Sequence, residues 1–172
     1  MNKIKRLIRY DLPMHFVLWV TNFLPDNVVF IRLRGRLASP FFLKCYKRLG
    51  IGRNVCIYNP STIEIGSDVY IAYGCWLSGP LKIESEVLFG PYCVVAPGNH
   101  TRKDGSFRFA ENTIGSIRIE KGAWMGAHSL IVGDNSVLGK GSVLAANSTL
   151  VDVSENDAVY AGSPAKKIKV IN

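Results

Sequence analysis

From Ile65 to Val95 an apolar residue returns at every sixth position: Ile65, Ile71, Leu77, Ile83, Phe89 and Val95, each usually followed by a small residue. Four positions after each comes a second inward candidate, in order Val69, Cys75, Leu81, Val87, Cys93 and Asn99. A helix needs apolar spacing near ~3.6 and an alternating strand near ~2. A strict period of six suits a short strand plus a turn, repeated as the sides of a prism, and three such sides make one coil of a parallel β-helix. The pattern therefore predicts an all-β solenoid. It halts at His100, where Thr101-Arg102-Lys103-Asp104-Gly105-Ser106-Phe107-Arg108-Phe109 is polar and basic, so residues 101–116 are expected to leave the prism at one corner. Hexads resume at Ile119 and Met125, slip by one, and continue at Val132, Leu138, Leu144 and Leu150. Ala123, Ser129, Ser136, Ser142 and Ser148 hold the second inward slot.

Ahead of the repeat the pattern is helical. Residues 3–10 put Ile4, Leu7 and Ile8 on one face and Lys5, Arg6 and Arg9 off it. Pro13 opens a mostly apolar second helix over 14–24, closed by Pro25. Ser39-Pro40 reads as an N-cap and first turn and Gly50 as a stop, which predicts a third helix over 41–49 capping the open end of the solenoid. The expected division is a helical leader and cap over 1–50, a β-helix over 51–160 and a basic tail over 161–172, strand or helix after a turn.

Composition narrows this picture. The 172 residues suffice to bury one core without disulfides or structural metal. Cys45, Cys56, Cys75 and Cys93 form no CxxC pair and are expected as free thiols, with Cys75 and Cys93 stacked one coil apart on the same face. The apolar run Phe16–Val20 is too short for a membrane span and lacks a small-residue cleavage site, so the chain reads as cytoplasmic. The net charge of +8 is uneven: residues 1–53 hold 11 Lys or Arg against Asp11 and Asp26, whereas the remainder is net −1. Cations concentrated beside apolar helices argue against nucleic acid. They fit an anionic lipid-linked substrate, peripheral contact with the inner face of a membrane, or a solvated end of the molecule.

Three landmarks go beyond the repeat: Ala96-Pro97-Gly98-Asn99-His100 before the loop, Ala123-Trp124-Met125-Gly126-Ala127 after it, and Ala161-Gly162-Ser163-Pro164-Ala165-Lys166 at the end. With them the chain, from about Ile51 to Lys169, resembles the hexapeptide-repeat acyltransferase family, and its leader resembles that of the subgroup that O-acetylates surface polysaccharides. The resemblance implies a left-handed parallel β-helix, a homotrimer, and acetyl-CoA bound as acyl donor in clefts between subunits. By the family's motif His100 is the general base, in direct attack of an acceptor hydroxyl on the thioester. An alcohol is a poor nucleophile at neutral pH, and a histidine can take its proton and return it to the leaving thiolate.

Trp124 matches the tryptophan lining the cleft and is a candidate contact for both acceptor and acyl donor. Ala127 matches a position whose N–H faces the thioester, and Lys166 and Lys169, with Lys167 beside them, match positions that meet CoA phosphates. Asn99, Arg102 and Arg108 are candidate acceptor contacts. His15 and His128 are read as structural or exposed. One departure bears on substrate: sugar acetyltransferases of this fold place an asparagine near the acceptor in an earlier coil, and Tyr70-Ile71-Ala72-Tyr73 has none.

The implied activity is acetyl-CoA-dependent O-acetylation of a sugar in a capsule, O-antigen or exopolysaccharide, or of its lipid-linked or nucleotide-linked precursor. N-acetylation of an amino sugar nucleotide is the alternative. A zinc hydrase of the same fold would need several converging histidines, and only His100 and His128 lie in the prism, so no metal is expected. A non-catalytic β-helix is a further alternative.

Overall fold

A computed structural model describes residues 2–108 and 110–171, so Phe109 of the predicted excursion lies outside the described residues. The repeat becomes three stacks of short parallel strands. Face A carries β1 (Lys44–Cys45), β4 (Ile63–Ile65), β7 (Leu81–Ile83), β12 (Ile117–Ile119) and β15 (Val137–Leu138). Face B carries β2 (Gly50–Ile51), β5 (Tyr70–Ile71), β8 (Leu88–Phe89), β13 (Trp124–Met125), β16 (Val143–Leu144) and β18 (Ala158–Gly162), closed by the antiparallel β19 (Ala165–Val170). Face C carries β3 (Cys56–Tyr58), β6 (Trp76–Ser78), β9 (Val94–Ala96), β14 (Leu130–Val132) and β17 (Thr149–Leu150). The hairpin of β10 (Asn99–His100) and β11 (Asn112–Thr113) leaves the prism between faces C and A.

Each hexad's apolar residue enters an in-register inward column. On face B it runs Ile51, Ile71, Phe89, Met125, Leu144, Tyr160, all buried. The second slot fills the corners with Val69, Cys75, Val87 and Cys93, then with the buried serines Ser129, Ser136, Ser142 and Ser148 in the later coils. Those hydroxyls have partners, as burial requires: Ser142 donates to Glu155 O at 2.7 Å and Ser148 accepts from the Gly162 N–H at 3.0 Å. The four cysteines are free thiols. Burial pushes the Cys45 thiol up to about 11.

Four expectations need correction. Residues 41–49 are not a helix: a 3₁₀ turn over Ser39–Phe41 leads directly into β1. The Leu43 and Tyr46 N–H groups donate to Ile63 O and Ile65 O, both at 3.0 Å, and Phe42 and Leu49 are buried. A helix there would leave the edge of β4 unpaired, so strand pairing overrides the capping signal. The solenoid thus starts one side earlier than Ile51. The cap is instead α3 (Val28–Ala38), started by the Asn27 side chain accepting from the Phe30 N–H at 3.0 Å. The third correction is phase: Ile131 is inward, paired with Val95, while Val132 is half-buried, so the slip falls between Ile131 and Leu138. Lastly, Asn99 lies outside the inward slot, exposed on β10.

The predicted leader helices form one run: α1 (Lys3–Arg6), a π-helical turn over Leu7–Asp11, and α2 (Leu12–Thr21). The wide turn accommodates Pro13, which lacks an N–H to donate. Arg34, 1% exposed, fastens the leader to the first coil. Its guanidinium donates to Ile51 O at 2.5 Å, to Thr21 O and Leu24 O at 3.1 Å, and to Asp26 Oδ1 at 3.2 Å. Burial pushes its pKa down and Asp26 partly restores it.

Candidate functional site

The β10–β11 hairpin lifts His100 out of the wall. Its base depends on Gly98: a Cβ there would stand 2.7 Å from the Thr113 carbonyl oxygen, and its φ of 132° is one that side chains rarely adopt. Asn99 pairs with Thr113 and His100 with Asn112, and the Thr113 hydroxyl donates to Asn99 O at 3.4 Å. The backbone is thus held by its pairing with β11 while the Asn99 and His100 side chains are exposed. Farther out, the Thr101 hydroxyl bonds Glu111 O, and Lys103 and Ser106 exchange backbone hydrogen bonds at 2.9 Å. Arg102 and Arg108 lie exposed in this excursion, Arg108 donating its N–H to Ser106 Oγ at 3.1 Å.

Trp124 lies elsewhere in the same chain. It is the outward residue of β13, 47% exposed between Leu88 and Val143. In a three-sided prism the corner after face C is opposite face B, so a single chain holds His100 and Trp124 on opposite sides.

Ala127 turns the corner from face B to face C. Its carbonyl accepts from the Asn147 N–H at 3.0 Å, while its own N–H meets no acceptor among the described residues. The equivalent amides of the A-to-B corner are capped by side chains, Glu84 on Lys121 N–H and Glu120 on Lys140 N–H, both at 3.1 Å. On the B-to-C corner the amides of Ala127 and, one coil on, Ala146 stay open. Two glycines let these coils close up: a Cβ on Gly90 would stand 2.7 Å from Ala127 N, and one on Gly126 2.5 Å from Ala146 N. Open backbone donors beside small residues form a track that can take acceptor oxygens along one corner.

The same corner row ends at Gly162, and Lys166 pairs with Ala161 beside it. Lys166 is therefore the tail cation nearest the track. Lys167 is tied to Glu155 Oε2 at 2.6 Å, and Lys169 pairs with Val159, farther from the corner. Two residues at this corner carry no expected role. Tyr92 and His128 stack at 4.9 Å and 15°, both at left-handed turn positions with φ 58°. The signal for them in sequence is the third place after Phe89 and Met125, the same place that holds Asn54, Gly74 and Asn147. Among the described residues no three side chains of metal-ligating type converge.

No family model matches the chain. The galactoside O-acetyltransferase of Escherichia coli strain K12 is 28% identical over 140 residues, 71% of this chain, and this chain spans 64% of that relative's length. A hexapeptide-repeat-containing acetyltransferase from Vibrio cholerae, solved with acetyl coenzyme A, has a TM-score of 0.80 at 21% identity, over 94% of this chain and 86% of that one. An N-acyltransferase from Bacillus cereus, solved with dTDP and coenzyme A, has a TM-score of 0.62 at 25% identity, over 80% of this chain and 88% of that one. The fold, helices followed by about six coils of β-solenoid, is the fold of hexapeptide-repeat acetyltransferases.

Proposed function

We propose that this protein transfers an acetyl group from acetyl-CoA to a sugar hydroxyl of a surface polysaccharide or its precursor, in a cleft that two chains of a trimer build together. The observation that carries this reading is His100, held outward at the root of the hairpin that interrupts the prism. Likeness to a galactoside O-acetyltransferase supports the sugar acceptor.

In the reaction His100 takes the proton of the acceptor hydroxyl as its oxygen attacks the thioester carbonyl. The Ala127 N–H of a neighbouring chain donates to the oxyanion of the tetrahedral intermediate, a contact worth a few kcal/mol where water is excluded. As the C–S bond breaks, the imidazolium returns its proton to the CoA thiolate. The B-to-C corner suits the donor's shape: open amides for the pantetheine arm and Lys166 at the far end for phosphate. Asn99 and the loop cations Arg102 and Arg108 stand on the acceptor's side. Trp124 of a neighbouring chain closes the cleft that its own chain cannot reach.

N-acylation of a nucleotide-linked amino sugar is the second reading, favoured by the Bacillus cereus N-acyltransferase solved with dTDP and coenzyme A. A panel of glycosides, nucleotide sugars and nucleotide amino sugars with acetyl-CoA, read by mass, separates the two. With the best acceptor, His100→Ala is expected to lower kcat by about 10² to 10⁴ with acetyl-CoA affinity unchanged, while His128→Ala stays within about threefold of the native enzyme. Native turnover in His100→Ala would refute the mechanism.

A further inference from the structure

The leader is apolar on both sides. Met14 and Thr21 of α2 are buried and Val17 and Leu18 pack on the core. On the opposite side Phe16, Trp19 and Phe23 are 61%, 59% and 80% exposed, in one run with ring centroids 6.3 and 6.4 Å apart. Ile4 and Ile8 extend the stripe toward the N-terminus, and Val29 and Leu33 of α3 are exposed as well. A helix apolar all round stays in water only if both sides are covered, and a contiguous patch of this kind marks an interaction surface.

Charge decides what covers it. Lys3, Lys5 and Arg9 are exposed at the start of the stripe, Arg6 is paired with Asp11 at 3.6 Å, and Arg36 is exposed on α3. Residues 1–53 are net +9. A second copy of this face would set like charge against like, whereas anionic headgroups would complement it. No helix among the described residues is long and apolar enough to cross a membrane, so the geometry is that of lying on one.

We infer that the leader docks on an anionic bilayer surface, with Phe16, Trp19 and Phe23 in the acyl boundary and Lys3, Lys5 and Arg9 against the phosphates. This goes beyond acetyl transfer and does not depend on it. The test is sedimentation of the full chain with phosphatidylcholine vesicles, with and without phosphatidylglycerol. Native protein is expected to bind the anionic vesicles at low salt and to be released by added salt. Phe16→Ser with Phe23→Ser, both at exposed positions, should weaken binding by about tenfold or more with an unchanged circular dichroism spectrum. Lys3→Glu with Lys5→Glu and Arg9→Glu should remove the preference for anionic lipid. Acetyl transfer to a soluble acceptor should be unaffected in both variants, which separates this inference from the proposed chemistry. Failure of the native chain to bind anionic vesicles, or equal binding by the serine variant, overturns it. So does a serine variant that changes oligomeric mass without losing lipid, since the face would then belong to a second copy.

Discussion

Gly98 has more influence on the site than its absent side chain suggests. It lets β10 approach β11 closely enough that a Cβ would collide with Thr113 O, and its φ belongs to glycine. Alanine would push the hairpin root away and carry His100 with it. A displacement of about 1 Å in a reacting group can cost on the order of 100-fold in rate. Gly98→Ala is therefore expected to lower kcat by at least about tenfold. Because the hairpin lies outside the prism, the melting temperature should hardly move. A variant that melts early and keeps its turnover would show that Gly98 serves the scaffold instead.

At the scale of elements, Arg34 connects three pieces: the end of α2, the loop at Leu24–Asp26, and β2. Arg34→Met fills similar volume but leaves Thr21 O and Leu24 O without those donors and Asp26 without its buried partner. The expected loss is about 3 kcal/mol, read in urea unfolding, with early proteolysis between α2 and α3. The C-terminal hairpin gives a milder test. Lys166 lies at the end of the open amide row and Lys167 is held by Glu155, so Lys166→Ala should raise KM for acetyl-CoA by about fivefold to tenfold with kcat unchanged. Because Lys169 lies farther from the corner, its alanine variant should change KM less.

At the scale of the molecule the three faces differ outwardly. Face A shows a charged column, Lys44, Glu64, Lys82 and Arg118. Face B shows Tyr70, Leu88, Trp124, Val143 and Val159, and face C shows Cys56, Trp76, Val94 and Leu130. The apolar column of face B, with Leu88 and Trp124 at its middle, is surface that a threefold assembly of copies would bury. Light scattering is expected to give the mass of three chains. Leu88→Arg should yield folded monomers that have lost acetyl transfer. Active monomers would sink both the trimer and the shared cleft.

Period, inward columns and the place of the excursion were determined by the sequence alone, because a six-residue rule is local: each hexad states its own inward residue and repeats it. The free thiols and the serine slot were legible for the same reason. The start of the solenoid was not. Cys45 keeps the six-residue spacing with Ile51 and Leu49 with Val55, but they sit among Lys44, Lys47 and Arg48 behind a good helix start, and only pairing with β4 shows them to be a coil. Nor was α3 legible: the run Val28-Val29-Phe30-Ile31 has no helical spacing of its own, and the helix rests on Arg34 and on Gly35, where a Cβ would stand 2.1 Å from Leu49 O. Tertiary structure alone decided that Asn99 faces out, that the slip follows Ile131, and that His100 and Trp124 of one chain lie on opposite sides. Each of these depends on which strand lies alongside, a contact between residues far apart in sequence that no local spacing encodes.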